Sequence, residues 1–195
     1  MDLLLLPGDI VLTRGPGFVG KAIRFFTRHF GESRTKVNHT GIIVQGGPLR
    51  EAVIVEASLR VVRHGLFAEY GAKNHEIAVY RPTRLTPLQI QRIVATANGY
   101  IGRTYGFGKI ALHALDWVLQ GAYVFRRLGQ MDEYPICSWL VAHSYATAGV
   151  YFGVDPGAAT PDDIWDYVTG RPAEFVRVRT LSRLDAPEER VAAAA

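Results

Sequence analysis

The chain has 195 residues, of which 48% are hydrophobic and 21% charged. This balance is typical of a globular protein with one sizeable core. The 22 Lys and Arg against 18 Asp and Glu leave a formal charge of +4, which suits an anionic partner but requires none. No basic run of the kind that marks a nucleic-acid arm is present, so we expect no nucleic-acid partner. The single cysteine excludes an intramolecular disulfide.

The first six residues are apolar but lack a basic n-region, and they run directly into Pro7-Gly8-Asp9. This start predicts the lead-in to a strand and not a signal peptide. We accordingly expect a cytoplasmic protein, or one delivered as a phage or secretion component.

The predicted strands are short apolar runs bounded by Gly, Pro or polar residues. In chain order they are residues 8–13, 39–45, 51–57, 59–62, 76–81 and 175–179. The link Gly46-Gly47-Pro48 is a turn signal, so residues 39–45 and 51–57 are predicted to form a β-hairpin.

The predicted helices have apolar residues at helical spacing, and two of them begin with Thr-Pro, a cap followed by proline at the first helical position. They are residues 18–30, 87–99, 107–125, 135–147 and the segment after Thr160. No domain linker interrupts the pattern. The sequence predicts one α+β domain over residues 1–184, followed by a flexible tail, 185–195.

The helix predicted at 107–125 is the longest apolar segment, but it is interrupted by Lys109, His113, Asp116 and Gln120. Their spacing places all four on one stripe of the helix. Two interpretations stay open: a core helix with one wet edge, or a helix that docks on a membrane surface or a partner.

Cys137 is the first candidate for chemistry, because Pro135 places it in the first turn of a predicted helix. Unpaired N–H groups and the positive end of the helix dipole stabilise a thiolate there, and the same groups could hold an oxyanion. The thiolate is the nucleophilic form of cysteine. The alternative is a small buried hydrophobic residue.

His39 and Glu56 are the second and third candidates, because the predicted hairpin brings them together. If the turn is centred between Gly47 and Pro48, His39 lies opposite Glu56, and a register shift of two would still leave both on one face. An acid within an apolar strand otherwise requires a partner. The alternatives are a core or edge histidine and an outward-facing glutamate. No local sequence pattern predicts that Cys137 lies near His39.

The order of five motifs resembles a known family. Pro7-Gly8-Asp9-Ile10, His39-Thr40-Gly41-Ile42 and Val55-Glu56-Ala57 resemble the second half of NlpC-type cell-wall peptidases. The run from Gly102 to Gly108, with Tyr105 inside it, and the pair Cys137-Ser138 resemble their first half. The two halves occur in swapped order, as in the circularly permuted YiiX-like branch.

This resemblance implies a circularly permuted papain-like fold, with a small antiparallel sheet packed on the helix that carries the cysteine. It also implies a thiol hydrolase with Cys137 as nucleophile, His39 as base, Glu56 as orienting residue and Tyr105 near the oxyanion site. Two departures stand out: the longer link at 110–133, and Trp139 where an acidic or small residue is expected.

The same resemblance implies that the substrate is a peptide or acyl amide, and an amide of a peptidoglycan stem peptide is the first candidate. Two alternatives stay open: a lipid-directed amidase or acyltransferase that contacts a membrane through the 107–125 helix, and a non-catalytic module of the same fold. We expect no cofactor, and no metal because the other histidines lack ligand-like spacing. The oligomeric state is not predicted.

Overall fold

A computed structural model describes residues 3–15, 36–71, 75–104 and 136–184. Five sequence predictions lie outside these residues: the helices at 18–30 and 107–125, the long link at 110–133, the role of Tyr105 and the tail 185–195.

The described chain contains one large antiparallel sheet and a two-stranded ribbon. The strands are β1 (Leu4–Leu5), β2 (Ile10–Arg14), β3 (His39–Gln45), β4 (Gly47–Pro48), β5 (Val53–Ala57), β6 (Val61–Gly65), β7 (Glu76–Pro82) and β8 (Phe175–Arg183). The large sheet has the order β6-β5-β3-β2-β7-β8, and β1 pairs with β4. The described helices are α1 (Leu66–Tyr70), α2 (Pro87–Gly99), α3 (Cys137–Ala146) and α4 (Pro161–Thr169).

The sheet separates two apolar clusters, because side chains alternate between the faces of a strand. On one face, Ile42 and Val55 pack with α2, α3 and α4. On the other, Ile43 and Ile54 pack with α1. The central strands therefore read as continuous apolar runs, and a polar residue inside them is conspicuous.

The hairpin register differs from the prediction by two residues. Gly41, and not His39, lies directly opposite Glu56. The reason is the turn: Gly47 and Pro48 form β4 against β1, so the chain reverses after Pro48, whose carbonyl accepts the N–H of residues 51 and 52. A shift of two keeps the same face of each strand. His39 and Glu56 are therefore diagonal neighbours on one face.

The helix starts follow the sequence signals at two of three positions. Thr86 and Thr160 cap α2 and α4, each through a capping box, as Thr-Pro predicts. The third helix begins at Cys137 itself, after Ile136 in an extended N-cap conformation, and not at Pro135. No side chain of the described residues caps α3.

The Pro7-Gly8-Asp9 turn ties the start of the chain to the rest of the fold. Asp9 is fully buried, accepts the N–H of Leu6 at 2.8 Å and receives two hydrogen bonds from Arg81, both at 2.8 Å. The predicted turn role thus extends to a buried ion pair. Tyr145 donates to the carbonyl of Gly8, which fixes α3 to the same turn.

None of the helices in the described ranges is long and apolar enough to cross a membrane.

Candidate active site

The structure brings Cys137, His39 and Glu56 together. The Nε2 atom of His39 lies 3.1 Å from Oε2 of Glu56, and the imidazole also forms a side-chain hydrogen bond with Cys137. Residues 98 positions apart in the chain thus meet at one site, which the strand patterns alone did not predict. Glu56 and α3 belong to opposite faces of the sheet, and His39, the first residue of β3, reaches both.

The position of His39 is fixed by its neighbours in the strand. Asn38 is buried and exchanges two hydrogen bonds with the backbone of Gly15, at 3.0 and 3.2 Å. The hydroxyl of Thr40 donates to the carbonyl of Val11 at 2.9 Å. Since the residues on both sides are anchored to β2, the backbone that carries the imidazole has little freedom.

Gly41 leaves the space through which Glu56 reaches His39. A Cβ atom at this position would lie 2.7 Å from Cδ1 of Ile54 and 3.0 Å from Cβ of Glu56. Contacts this short require one of these side chains to move. The glycine of the His-Thr-Gly-Ile motif is therefore a steric requirement of the diagonal contact.

Glu56 has two further hydrogen-bond donors that the sequence analysis missed. Tyr70 of α1 donates to Oε2 at 2.7 Å, and Nε2 of His64 lies 3.0 Å from Oε1. The carboxylate, only 3% exposed as a residue, is thus held on both oxygens. The β5–β6 hairpin could have indicated His64, because His64 pairs with Ile54 and so shares the face of Glu56. No local signal indicated Tyr70.

An ionised carboxylate only accepts hydrogen bonds, so the nitrogen of His39 that faces Glu56 must carry a proton. Nε2 is therefore the N–H of the neutral imidazole, and Nδ1 keeps the lone pair. That lone pair is the acceptor that a thiol proton requires.

The ionisation of the three groups is coupled. Burial disfavours charge on His39 and is the largest effect, but the Cys137 thiolate and Glu56 outweigh it and raise the pKa of His39 well above 6.5. Burial alone would raise the pKa of Glu56; its interaction with His39 and the bonds from His64 and Tyr70 instead hold it well below 4.5. Desolvation raises the pKa of Tyr70 well above 10.0, so its hydroxyl stays a donor. The arrangement stabilises the imidazolium form of His39 beside the Glu56 carboxylate.

Cys137 is the first residue of α3 and is 3% exposed. The hydroxyl of Ser138 anchors the first turn by donating to the carbonyl of Ala159 at 2.6 Å. Among the described residues, no side-chain hydrogen bond caps the start of α3, in contrast to α2 and α4.

Trp139, a departure from the resembled pattern, is 2% exposed. Its ring stacks on His143 at 4.5 Å and meets the edge of Tyr100 at 5.1 Å. The indole belongs to the core between α2 and α3, so its size is accommodated by packing.

Two further observations concern metal binding and a groove in the surface. In the described residues, no group of three or more His, Cys, Asp or Glu side chains could hold a metal ion. A groove of about 770 Å³ lies along α2, with Leu6, Val44 and Arg81 in its lining. It includes none of Cys137, His39 and Glu56.

A family model described as "permuted papain-like amidase enzyme, YaeF/YiiX, C92 family" matches residues 5–116 of the chain. This protein belongs to that family. The matched range contains His39 and Glu56, and ends before Cys137. Membership establishes a papain-like cysteine amidase, a hydrolase of amide bonds, and confirms the predicted family. The non-catalytic interpretation is therefore dropped.

A solved structure supports the fold over nearly the whole chain. The crystal structure of the metalloprotein yiiX from Escherichia coli O157:H7 matches with a TM-score of 0.51 and 18% sequence identity, over 93% of each chain. At this identity the likeness shows the fold, which confirms the permuted papain-like α+β prediction. No curated protein matches the chain.

Proposed function

We propose that this amidase works through a catalytic triad in which Cys137 is the nucleophile, His39 the general base and Glu56 the residue that orients the imidazole. The observation that carries the proposal is the pair of hydrogen bonds of His39, to Glu56 on one side and Cys137 on the other. A nucleophile, a base and an orienting group in hydrogen-bonded series is the general requirement for covalent catalysis by a thiol.

The reaction follows from the assigned protons. Nδ1 of His39 takes the thiol proton of Cys137, and the thiolate adds to the amide carbonyl carbon. N–H groups of the first turn of α3 stabilise the oxyanion. As the C–N bond breaks, the imidazolium protonates the leaving amine, and a thioester remains on Cys137. His39 then removes a proton from water, which attacks the thioester and releases a carboxylic acid and the thiol.

For the substrate we propose an amide of a peptidoglycan stem peptide. The resemblance to NlpC-type peptidases and the formal charge of +4 support it, because stem peptides carry carboxylates. Arg60 and Arg103 are both exposed and lie on loops joined by a β-bridge between Arg60 and Thr104. The guanidinium of Arg103 stacks on Tyr100, whose ring contacts Trp139 near the start of α3.

A second candidate is an amidase or acyltransferase that acts on lipids at a membrane surface. Leu59 and Ile101, next to the same arginines, are 73% and 44% exposed. Apolar side chains beside basic ones are typical of membrane-surface contacts.

The first test is the pH dependence of iodoacetamide alkylation of Cys137 in the wild-type protein, His39→Ala and His143→Gln. Because the chain has one cysteine, the readout is unambiguous. We expect an inflection well below the free-thiol pKa of about 8.5 in the wild type and in His143→Gln, and its loss in His39→Ala. A single inflection near the free value in all three proteins would contradict the triad.

The second test identifies the acyl donor. Muropeptides and N-acyl lipids in vesicles are incubated with the wild type and with Cys137→Ser, and the released amines are quantified. Release of amines from muropeptides but not from vesicles supports the peptidoglycan stem peptide as substrate. Release from vesicles, together with flotation of the protein on them, would replace it with the lipid substrate.

A further inference from the structure

His64 lies between two carboxylates. Its Nε2 atom is 3.0 Å from Oε1 of Glu56, and its Nδ1 atom is 3.6 Å from Oε2 of Glu69 in α1. The side chain is 24% exposed. The imidazole is thus largely shielded from water, and each of its two nitrogens faces an acid.

This geometry discriminates between the two states of the imidazole. A neutral ring has one N–H and one lone pair. With the N–H directed to Glu56, the lone pair of Nδ1 would face the negative oxygen of Glu69. An imidazolium presents an N–H to both carboxylates, and opposite charges at these distances stabilise the charged form.

The same carboxylate connects His64 to the proposed base. Oε1 of Glu56 accepts from His64, while Oε2 accepts from His39 and Tyr70. A positive charge on His64 therefore reduces the stabilisation that Glu56 gives to the imidazolium of His39. It also adds positive potential near the Cys137 thiolate.

We propose that His64 is a positioning residue of the site: as an imidazolium held between Glu56 and Glu69, it fixes the carboxylate and limits the basicity of His39. This inference rests on the proposed function, because it assigns His64 a role through the triad. Two groups on neighbouring elements face His64 directly, Glu56 of β5 and Glu69 of α1, and Tyr70 of α1 shares the Glu56 carboxylate with it.

The test compares His64→Gln with Arg63→Gln. Both variants remove a basic side chain from neighbouring positions of β6. The guanidinium of Arg63 lies on the other face and bonds with Gln45 at 3.2 Å in an exposed position. Glutamine at position 64 can still donate to Glu56, but it carries no charge.

Alkylation of Cys137 is followed as a function of pH in both variants and in the wild type. Loss of the positive charge destabilises the thiolate and relieves the repulsion of the imidazolium. Both inflections, that of the thiol and that of His39, should therefore move to higher pH in His64→Gln, by about one unit. In Arg63→Gln, each inflection should move by less than about a third of that shift. A merely structural role would lower the rate and leave the inflections in place.

A second measurement does not depend on how the variant folds. In the wild-type protein, the ring-proton NMR resonance of His64 should titrate above the ordinary histidine pKa of about 6.5. Titration at or below that value, or unmoved inflections in a folded His64→Gln, would overturn the inference. Absence of a low inflection in the wild type would instead overturn the triad itself, so the two failures are distinguishable.

Discussion

Replacing Glu56 by glutamine tests the central ion pair with the smallest change in shape. The substitution removes the negative charge from a side chain that is 4% exposed. His39, His64 and Tyr70 all direct donors at this carboxylate. A glutamine amide can replace only one oxygen by NH₂, so at least one of the three donors would then face another donor.

The magnitude follows from the distance. Two unit charges 3.1 Å apart attract by about 5 kcal/mol at an effective dielectric constant of about 20. Desolvation offsets part of this, and removing one partner of a buried pair usually costs about 3–5 kcal/mol. For a chain of this length, about 2–4 °C of Tm is lost per kcal/mol, so Tm should fall by roughly 10 °C.

The effect depends on pH in a defined sense. The pKa of Glu56 is lowered from 4.5, so its contribution to stability is present above that pH and is lost as the pH falls. The pKa of His39 is raised from 6.5, so its contribution is complete below that pH and is lost as the pH rises through the folded-state pKa. The difference in Tm between wild type and Glu56→Gln should therefore be largest between pH 4.5 and 6.5.

The assay is thermal unfolding followed by circular dichroism across this pH range, with Glu76→Gln as the control. Glu76 pairs with Arg14, but their side chains are 35% and 39% exposed. Such a surface pair contributes no more than about 1 kcal/mol. Equal losses of Tm in the two variants, or a loss in Glu56→Gln that does not change with pH, would refute the buried-pair reasoning.

Three further predictions concern the surroundings of this pair. Gly41→Ala should destabilise the fold by about 1–3 kcal/mol in urea unfolding and slow alkylation of Cys137, because the new methyl group overlaps the side chains of β5. Gly99→Ala, where nothing lies within 4 Å, is the matched control, and a similar loss in both would contradict the steric role. Tyr70→Phe should lower kcat/KM roughly 10- to 100-fold with little change in KM, since it removes one donor to a charged acceptor; an unchanged kcat would show that the remaining donors suffice. Asp9→Asn should cost about 1–3 kcal/mol in urea unfolding by weakening the two hydrogen bonds from Arg81, while the alkylation inflection stays in place; a shifted inflection would mean that this turn acts on the site.

The sequence predicted the elements that carry the site better than it predicted the contacts. The apolar strands and the Thr-Pro helix starts are local signals, and both are present in the structure. The shared face of His39 and Glu56 was predicted correctly even though the register was wrong, because a shift of two conserves the face. The register itself depends on β4 pairing with β1, and a distant strand leaves no trace in the turn sequence.

Local sequence signals did not predict the contacts between segments that are distant in the chain. Cys137 was connected to His39 only by resemblance to a family, since no local pattern encodes how a helix docks on a sheet. Tyr70 and His64 were missed for a related reason. Tyr70 lies in a helix of five residues, whose periodicity is too brief to indicate a face. The face of His64 follows only from the pairing of β6 with β5, so both roles appear once β6 and α1 are placed beside Glu56.

The swapped order of the motifs has a consequence for how the thiol becomes reactive during synthesis. His39, Glu56, His64 and Tyr70 lie close together in the chain, whereas Cys137 leaves the ribosome much later. His39 and Glu56 are therefore made before the residue on which they would act. The imidazole meets Cys137 only when α3 docks on the sheet, so until that contact forms the thiol has no base beside it.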